Sequence, residues 1–266
     1  PQTLKRPPAR RPSAQKAGAS PAQSARSSAR SCSSDSGAMA RAAIHIANND
    51  YNENPFHINL TGIGTIPAFA IGQRALLVRT PNGNVLWDCI SLLDDATVEA
   101  VRALGGISAI AVSHPHTVGS LVEWSHAFDH APIYWHADNR QWVMRPDPAF
   151  VFWEGETKTI MDGLTLIRCG GHFEGSDVLH WAKGADGRGA LLTGDTMQVA
   201  QDRRYVSFMY SYPNMIPLDK RAVERIVRAV EPFEFDHIYG GWWDYLVLDA
   251  KSALKRSAER YIKAIS

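Results

Sequence analysis

Residues Ala109–Ser120 read AIAVSHPHTVGS: small and β-branched apolar residues that end abruptly in His-Pro-His. Strand propensity collapses at Pro115, which predicts a buried strand whose C-terminal end delivers His114 and His116 to a loop, where α/β sheets usually carry their chemistry. The pair alone is weak evidence, because ten histidines in 266 residues produce a His-x-His by chance in roughly one such chain in three. Its weight depends on the flanking elements.

Upstream, INLTG, PAFAIG, RALLVRT and NVLWDC read as four short strands of an antiparallel meander. The Pro81-Asn82-Gly83-Asn84 turn between the last two is the clearest hairpin signal. Asp94 and Asp95 open a helix whose apolar Val98, Val101 and Leu104 recur at helical spacing, and Gly105-Gly106 stops it. Downstream, SLVEWSHAF reads as a helix, APIYW as a strand and ADNRQWVM as a further helix, followed by strands PAFVFW, TKTIM and LTLIRC. LDKRAVERIVRAV and DAKSALKRSAERYIKAI near the C-terminus are amphipathic helices with a basic, solvated face. Antiparallel runs mixed with strand-helix-strand units predict a layered α/β fold, two sheets with helices outside.

Composition narrows the function classes. Residues 1–34 hold seven basic residues and no acidic one, which leaves 21 basic against 27 acidic residues in the rest of the chain. A mildly acidic body does not suggest nucleic-acid binding, which needs a basic face. No apolar run reaches the length of a membrane span, so no membrane partner is expected. Residues 1–42, rich in Pro, Ser, Ala and Arg, are expected to be a disordered basic tail, with residues 43–266 forming the domain. The tail has the Arg and Ser content of an organellar transit peptide, but its prolines weaken that reading, and Met39 is a candidate start. Cys32, Cys89 and Cys169 have no Cys-x-x-Cys spacing, which fits a reducing, cytoplasmic compartment, with an organelle as the alternative.

Two further stretches carry chemistry. In RCGGHFEGS the strand LTLIRC ends in Gly170-Gly171, which lets the backbone turn sharply and places His172 on a loop at a strand end. In ALLTGDT an apolar strand runs into Gly194 and Asp195, a carboxylate that alone reads as easily as a helix cap. Cys169 is expected to be a buried hydrophobe, and His126, His130, His136, His180 and His237 structural or exposed.

Taken in order, these stretches resemble the metallo-β-lactamase-fold superfamily, whose signature is His-x-His-x-Asp-His after a strand, then Gly-His, then a strand ending in Gly-Asp, then a C-terminal Gly-His. His114 and His116, His172, and Asp195 match the first three motifs over about residues 57–266. TGIGT, SHPH, TGDT, VSFMYSYPN and IYG-x-WW are further similar to a bacterial subgroup of that superfamily. The resemblance implies a four-layer αββα sandwich with the site between the sheet edges. Two departures imply a degenerate second metal site: Val118 and Gly119 stand where the motif has Asp and His, and Trp242 stands where the last His belongs.

Three neutral imidazoles leave a bound zinc its full charge and an open position for water. The resemblance therefore implies a hydrolase of a small-molecule substrate, with one divalent metal, zinc or alternatively iron, on His114, His116, His172 and Asp195. Asp195 completes the ligand set or accepts the water's proton. Two histidines with Asp195 also fit a non-haem iron oxygenase of the persulfide-dioxygenase type. A third reading is a non-catalytic metal- or ligand-binding protein on the same scaffold. The aromatic stretch VSFMYSYPNMIPL and Trp242-Trp243 make Tyr210 and Trp242 candidate substrate contacts, against a loop simply packed on the core.

Overall fold

The computed structural model describes residues 59–212 and 214–266. The expected basic tail lies outside the described residues. The chain enters a meander of β1 (Leu60–Ile63), β2 (Ala75–Thr80) and β3 (Gly83–Trp87), whose β2-β3 hairpin turns at Pro81 and Asn82. The sheet then grows in parallel through β4 (Ala109–Ala111), β5 (Ile133–His136) and β6 (Phe150–Trp153). Helices α1 (Asp95–Ala103) and α2 (Leu121–Ala127) supply the crossovers before β4 and β5, since parallel neighbours need a long connection. The Asp94 carboxylate caps α1 by accepting from the Thr97 N–H at 2.8 Å.

A second sheet begins with the antiparallel run β7 (Thr157–Met161), β8 (Leu164–Arg168), β9 (Asp177–Trp181) and β10 (Ala190–Gly194), with a single turn, α3 (Gly184–Gly187), before β10. Two short ribbons follow, β11 (Gln198–Val199) with β12 (Val206–Ser207) and β13 (Met209–Ser211) with β14 (Ile216–Pro217). After α4 (Lys220–Val230), β15 (His237–Gly240) joins β10 in parallel, and β16 (Leu246–Leu248) and α5 (Ala250–Ile265) complete the chain. Each sheet has six strands, ordered β1-β2-β3-β4-β5-β6 and β16-β15-β10-β9-β8-β7.

The layering follows from the two-residue period of the strands. Leu76 and Val78 of β2, Val85 and Trp87 of β3, Leu164 and Leu166 of β8 and Leu192 of β10 meet in one buried layer between the sheets. Their neighbours turn the other way. Leu77 and Leu86 pack with Val101 of α1 and Trp124 of α2, and Ile167 and Leu191 pack with Val223 and Ile226 of α4 and Leu254 of α5. Strands apolar on both faces require a helix layer on each outer side. The result is the expected αββα sandwich.

Two expectations for individual elements need correction, and one strand has no counterpart among them. PAFAIG is not a strand: Ala70 and Gly72 both have positive φ and the Gly72 N–H bonds back to Phe69 O at 2.9 Å, so the segment is a turn-rich loop. The ADNRQWVM helix is only a 3-10 segment, Ala137–Trp142, started by the His136 ring accepting from the Asp138 N–H. β9, DVLHW, was not anticipated; its five residues are all buried, so it shows no polar-apolar alternation.

Candidate metal centre

The ends of β4, β8 and β10 lie at one edge of the sandwich, and each sequence motif sits just past one of them. A cross-sheet bond ties that edge together: the Asp177 N–H at the start of β9 donates to Ser113 O, next to His114, at 3.0 Å. Gly170 and Gly171, at φ +70° and +85°, bend the chain after β8 to bring His172 inward. Gly194, at φ +50°, ends β10 where any side chain would collide with Ser113 Oγ, so Asp195 approaches the His114 loop closely.

His114, His116, His172 and Asp195 therefore converge, with one candidate ligand atom from each lying within 4.8 Å of all the others. Asp195 Oδ2 is 3.5 Å from His114 Nε2 and 3.8 Å from His172 Nε2, and His172 Nε2 is 3.3 Å from His116 Nδ1. The three rings stand edge to face at centroid separations of 4.9 to 5.1 Å, so they radiate from a common point. Ligand atoms about 2.0–2.1 Å from a tetrahedral cation are separated by about 3.3 Å. Among the described residues this is the one such group of His, Cys, Asp and Glu.

The second sphere fixes the tautomers. His172 Nδ1 donates to Met209 O at 3.0 Å, which leaves its Nε2 as a lone pair facing inward. The Ser113 hydroxyl donates to the Asp88 carboxylate at 2.9 Å, so its oxygen is left to accept from His114 Nδ1, 2.7 Å away. Asp88 also accepts from the Ser113 N–H at 2.8 Å and the Thr117 hydroxyl at 3.0 Å. His114 Nε2 is then a buried nitrogen with no hydrogen-bond partner among the described residues, a deficit that a cation removes.

Burial favours the neutral imidazole at His172 and His116, the form that binds a cation. Burial lowers the pKa of His172 to about 4, with help from His114, and burial also lowers that of His116. Burial by itself would raise Asp195, but its close approach to His114, 3.5 Å from Oδ2 to Nε2, reinforced by His172 and His116, holds it below the usual carboxylate range. Asp88 is raised, because burial outweighs both its charge interaction with His114 and its hydrogen bonds.

The other expected positions are placed as follows. Val118 turns toward the α1-α2 side of the core, and Gly119 has no side chain. Trp242 lines a small cleft with Asp195, His116 and Arg74, its Nε1–H donating to Ile71 O at 3.0 Å. Tyr210 is 59% exposed on β13 and does not line that cleft. Reading the sequence missed Asp88, Ser113 and Thr117. The available signal was an acidic residue closing an apolar strand, NVLWD, the same pattern that marked Asp195.

One relative, YmaE of Bacillus subtilis (strain 168), is 50% identical over 208 residues, covering 78% of this chain and 76% of YmaE. The chain belongs to the YmaE family. No protein-family model matches it. Among solved structures, the metallo-beta-lactamases DIM-1 and VMB-1 match at TM-scores of 0.58 and 0.59 with 14% and 13% identity, each over 78% of this chain and 94% of theirs. TTHA1623, solved in a di-iron-bound form, matches at 0.51 with 19% identity over 70% of this chain and 94% of its own. At such identities the likeness is one of fold: this member of the YmaE family has the metallo-β-lactamase fold.

Proposed function

We propose that the chain is a metal-dependent hydrolase of a small-molecule substrate, with a single divalent cation, zinc in preference to iron, held by His114, His116, His172 and Asp195. The observation that carries this reading is the convergence of four ligand atoms within 4.8 Å of one another, three of the separations lying at 3.3, 3.5 and 3.8 Å, one of the four being a buried His114 Nε2 with no hydrogen-bond partner among the described residues. A bound zinc supplies Lewis acidity toward water or a substrate carbonyl and stays undiminished in charge on neutral imidazoles.

The chain's own residues do the rest. The Met209 carbonyl and the Asp88-Ser113 pair hold Nδ1 of His172 and of His114, which leaves each Nε2 facing inward. Asp195 stays ionised, able to complete the ligand set or accept a proton from an attacking water. With Val118, Gly119 and Trp242 at the remaining motif positions, no second set of nitrogen and carboxylate donors is proposed. Trp242, which lines the cleft that holds His116 and Asp195, is proposed to contact the substrate.

Elemental analysis of the purified protein beside a His116→Ala variant tests the reading. About one transition metal per chain is expected, lost in the variant. Zinc supports hydrolysis, iron turns the assignment toward the oxygenase reading, and a wild-type chain that binds neither when supplied with them overturns the metal centre.

A further inference from the structure

Phe173, the residue after His172, touches all three imidazoles of the candidate centre. Its half-buried ring lies 5.0 Å from His116, 5.2 Å from His172 and 6.2 Å from His114, centroid to centroid, edge to face with the first two and stacked on the third. The loop that carries it is closed tightly. The Phe173 N–H donates to Ser176 Oγ at 2.9 Å, the Ser176 N–H returns to Phe173 O at 3.1 Å, and the Gly175 N–H donates to Oδ1 of the buried Asn139 at 3.0 Å. A Cβ at Gly175 would stand 2.8 Å from that amide, so the loop reaches Asn139 only with glycine there. Trp142 meets the Phe173 ring at 5.5 Å. The cleft that reaches the centre past Trp242, Asp195 and His116 is not lined by Phe173, so the ring acts on the imidazoles and not on a substrate in that cleft.

The three histidines are not held alike. His172 Nδ1 is fixed by Met209 O and His114 Nδ1 by Ser113 Oγ. His116, the exposed one of the three, has no acceptor outside the ligand set among the described residues; its Nδ1 meets His172 Nε2 at 3.3 Å. Packing against Phe173 takes the place of the missing hydrogen bond. Resting on the metal-centre reading, we propose that Phe173 is a positioning residue that selects the cation: it wedges the imidazoles, His116 above all, at the donor spacing of a four-coordinate ion. Four nitrogen and oxygen ligands about 2.0–2.1 Å from a cation stand about 3.3 Å apart, the separation of His116 Nδ1 and His172 Nε2, whereas six at right angles draw neighbours in to about 3.0 Å. Turning an imidazole to close that gap moves its ring against packed hydrocarbon, which resists. Zinc takes the wider spacing without loss, because its filled d shell imposes no geometry of its own, while iron(II) in a two-histidine, one-carboxylate site uses the further open positions of a six-coordinate arrangement.

The test compares the full chain with Phe173→Leu, Phe173→Val and Phe173→Ala, a series of falling side-chain volume. Each is loaded with cobalt(II), whose visible bands are strong with four ligands and weak with six, and its zinc and iron(II) affinities are measured by chelator competition without oxygen. The wild type is expected to show the strong bands. At Phe173→Ala the bands are expected to weaken and zinc affinity to fall about 10- to 100-fold, as when a ligand loses its support, while iron(II) affinity changes less than about threefold. The ratio of zinc to iron(II) affinity therefore falls stepwise along the series, and the leucine and valine steps decide the matter if thermal unfolding shows that the alanine variant does not fold. A role in folding alone lowers both affinities together and leaves the ratio flat, which overturns the proposal, as do weak cobalt bands in the wild type or strong ones kept in Phe173→Ala. A wild type that takes up none of the three metals overturns the metal centre and the proposal with it, whereas a wild type that binds zinc with a flat ratio along the series overturns the proposal alone.

Discussion

Ser113→Ala isolates the connection between the Asp88 carboxylate and the metal centre. Ser113 is fully buried, and its oxygen stands 2.7 Å from His114 Nδ1 and 2.9 Å from Asp88. Removing it leaves the His114 Nδ1–H without an acceptor, which costs about 1–3 kcal/mol when the donor is buried. That penalty falls on the tautomer that directs Nε2 inward, so it opposes metal binding. It matches the roughly 10- to 100-fold loss of metal affinity typical when such a supporting partner is removed. The fold should survive, because Asp88 still holds the Ser113 N–H and the Thr117 hydroxyl. Zinc affinity is measured by competition with a chelator, alongside thermal unfolding of the metal-free chain. Thr117→Val, which leaves the His114–Ser113 contact in place, serves as the control and should change affinity less than about threefold. A Ser113→Ala chain that binds zinc within a factor of about two of wild type would show that His114 needs no fixed tautomer, and the reasoning would fail.

Three further outcomes are expected. Gly194→Ala places a methyl group against Ser113 Oγ at φ +50°; it should cost about 2 kcal/mol or more in urea unfolding and abolish zinc binding, and an unchanged midpoint would contradict the close approach. Asp177 is fully buried, neither carboxylate oxygen has a hydrogen-bond partner among the described residues, and burial raises its pKa well above 3.8. The folded state therefore holds this proton more tightly than the unfolded chain, and stability falls as pH rises from about 4 toward the folded value. Asp177→Asn should raise the melting temperature at pH 7, and a lower one would refute the sign. His180 is buried, its Nε2 bonds to Glu234 O at 2.9 Å, and burial lowers its pKa below 6.5. Here the unfolded chain binds the proton more readily, so stability falls as pH drops below about 6.5, at most about 1.4 kcal/mol per pH unit for this one group. His180→Gln keeps a donor and should flatten that slope, whereas a pH-independent gap between variant and wild type would count against it.

The layered architecture was legible because the chain carries its periods openly. NVLW, AIAV and LTLI are apolar on both faces, which only a sheet covered on both sides accommodates, and α1 and α4 show helical spacing after capping aspartates. What failed was local. PAFAIG has the composition of a strand but turns at Ala70 and Gly72, because propensity is a weak prior where no neighbouring strand completes the pairing. DVLHW went unread for the opposite reason: wholly buried between β8 and β10, it has no alternation to find, and its Asp and His mimic a polar loop.

At the site, the sequence exposes residues that must be of one chemical type and hides those defined by position. His114, His116, His172 and Asp195 stand out because each follows a strand and few other residues offer such donors. Asp88 and Ser113 act through hydrogen bonds that many side chains could make, so only their placement distinguishes them. The same asymmetry governs the missing second set of donors. From the sequence, Val118 and Gly119 are only absences, residues that cannot bind a cation. In the fold, Val118 joins the core beside α2 and Gly119 leaves room next to it, and both face a cleft whose other walls are Trp135 and Phe150. Asp and His side chains at 118 and 119 would be costly to desolvate against those rings, so Val118→Asp with Gly119→His would put polar groups against the hydrocarbon that now surrounds these positions.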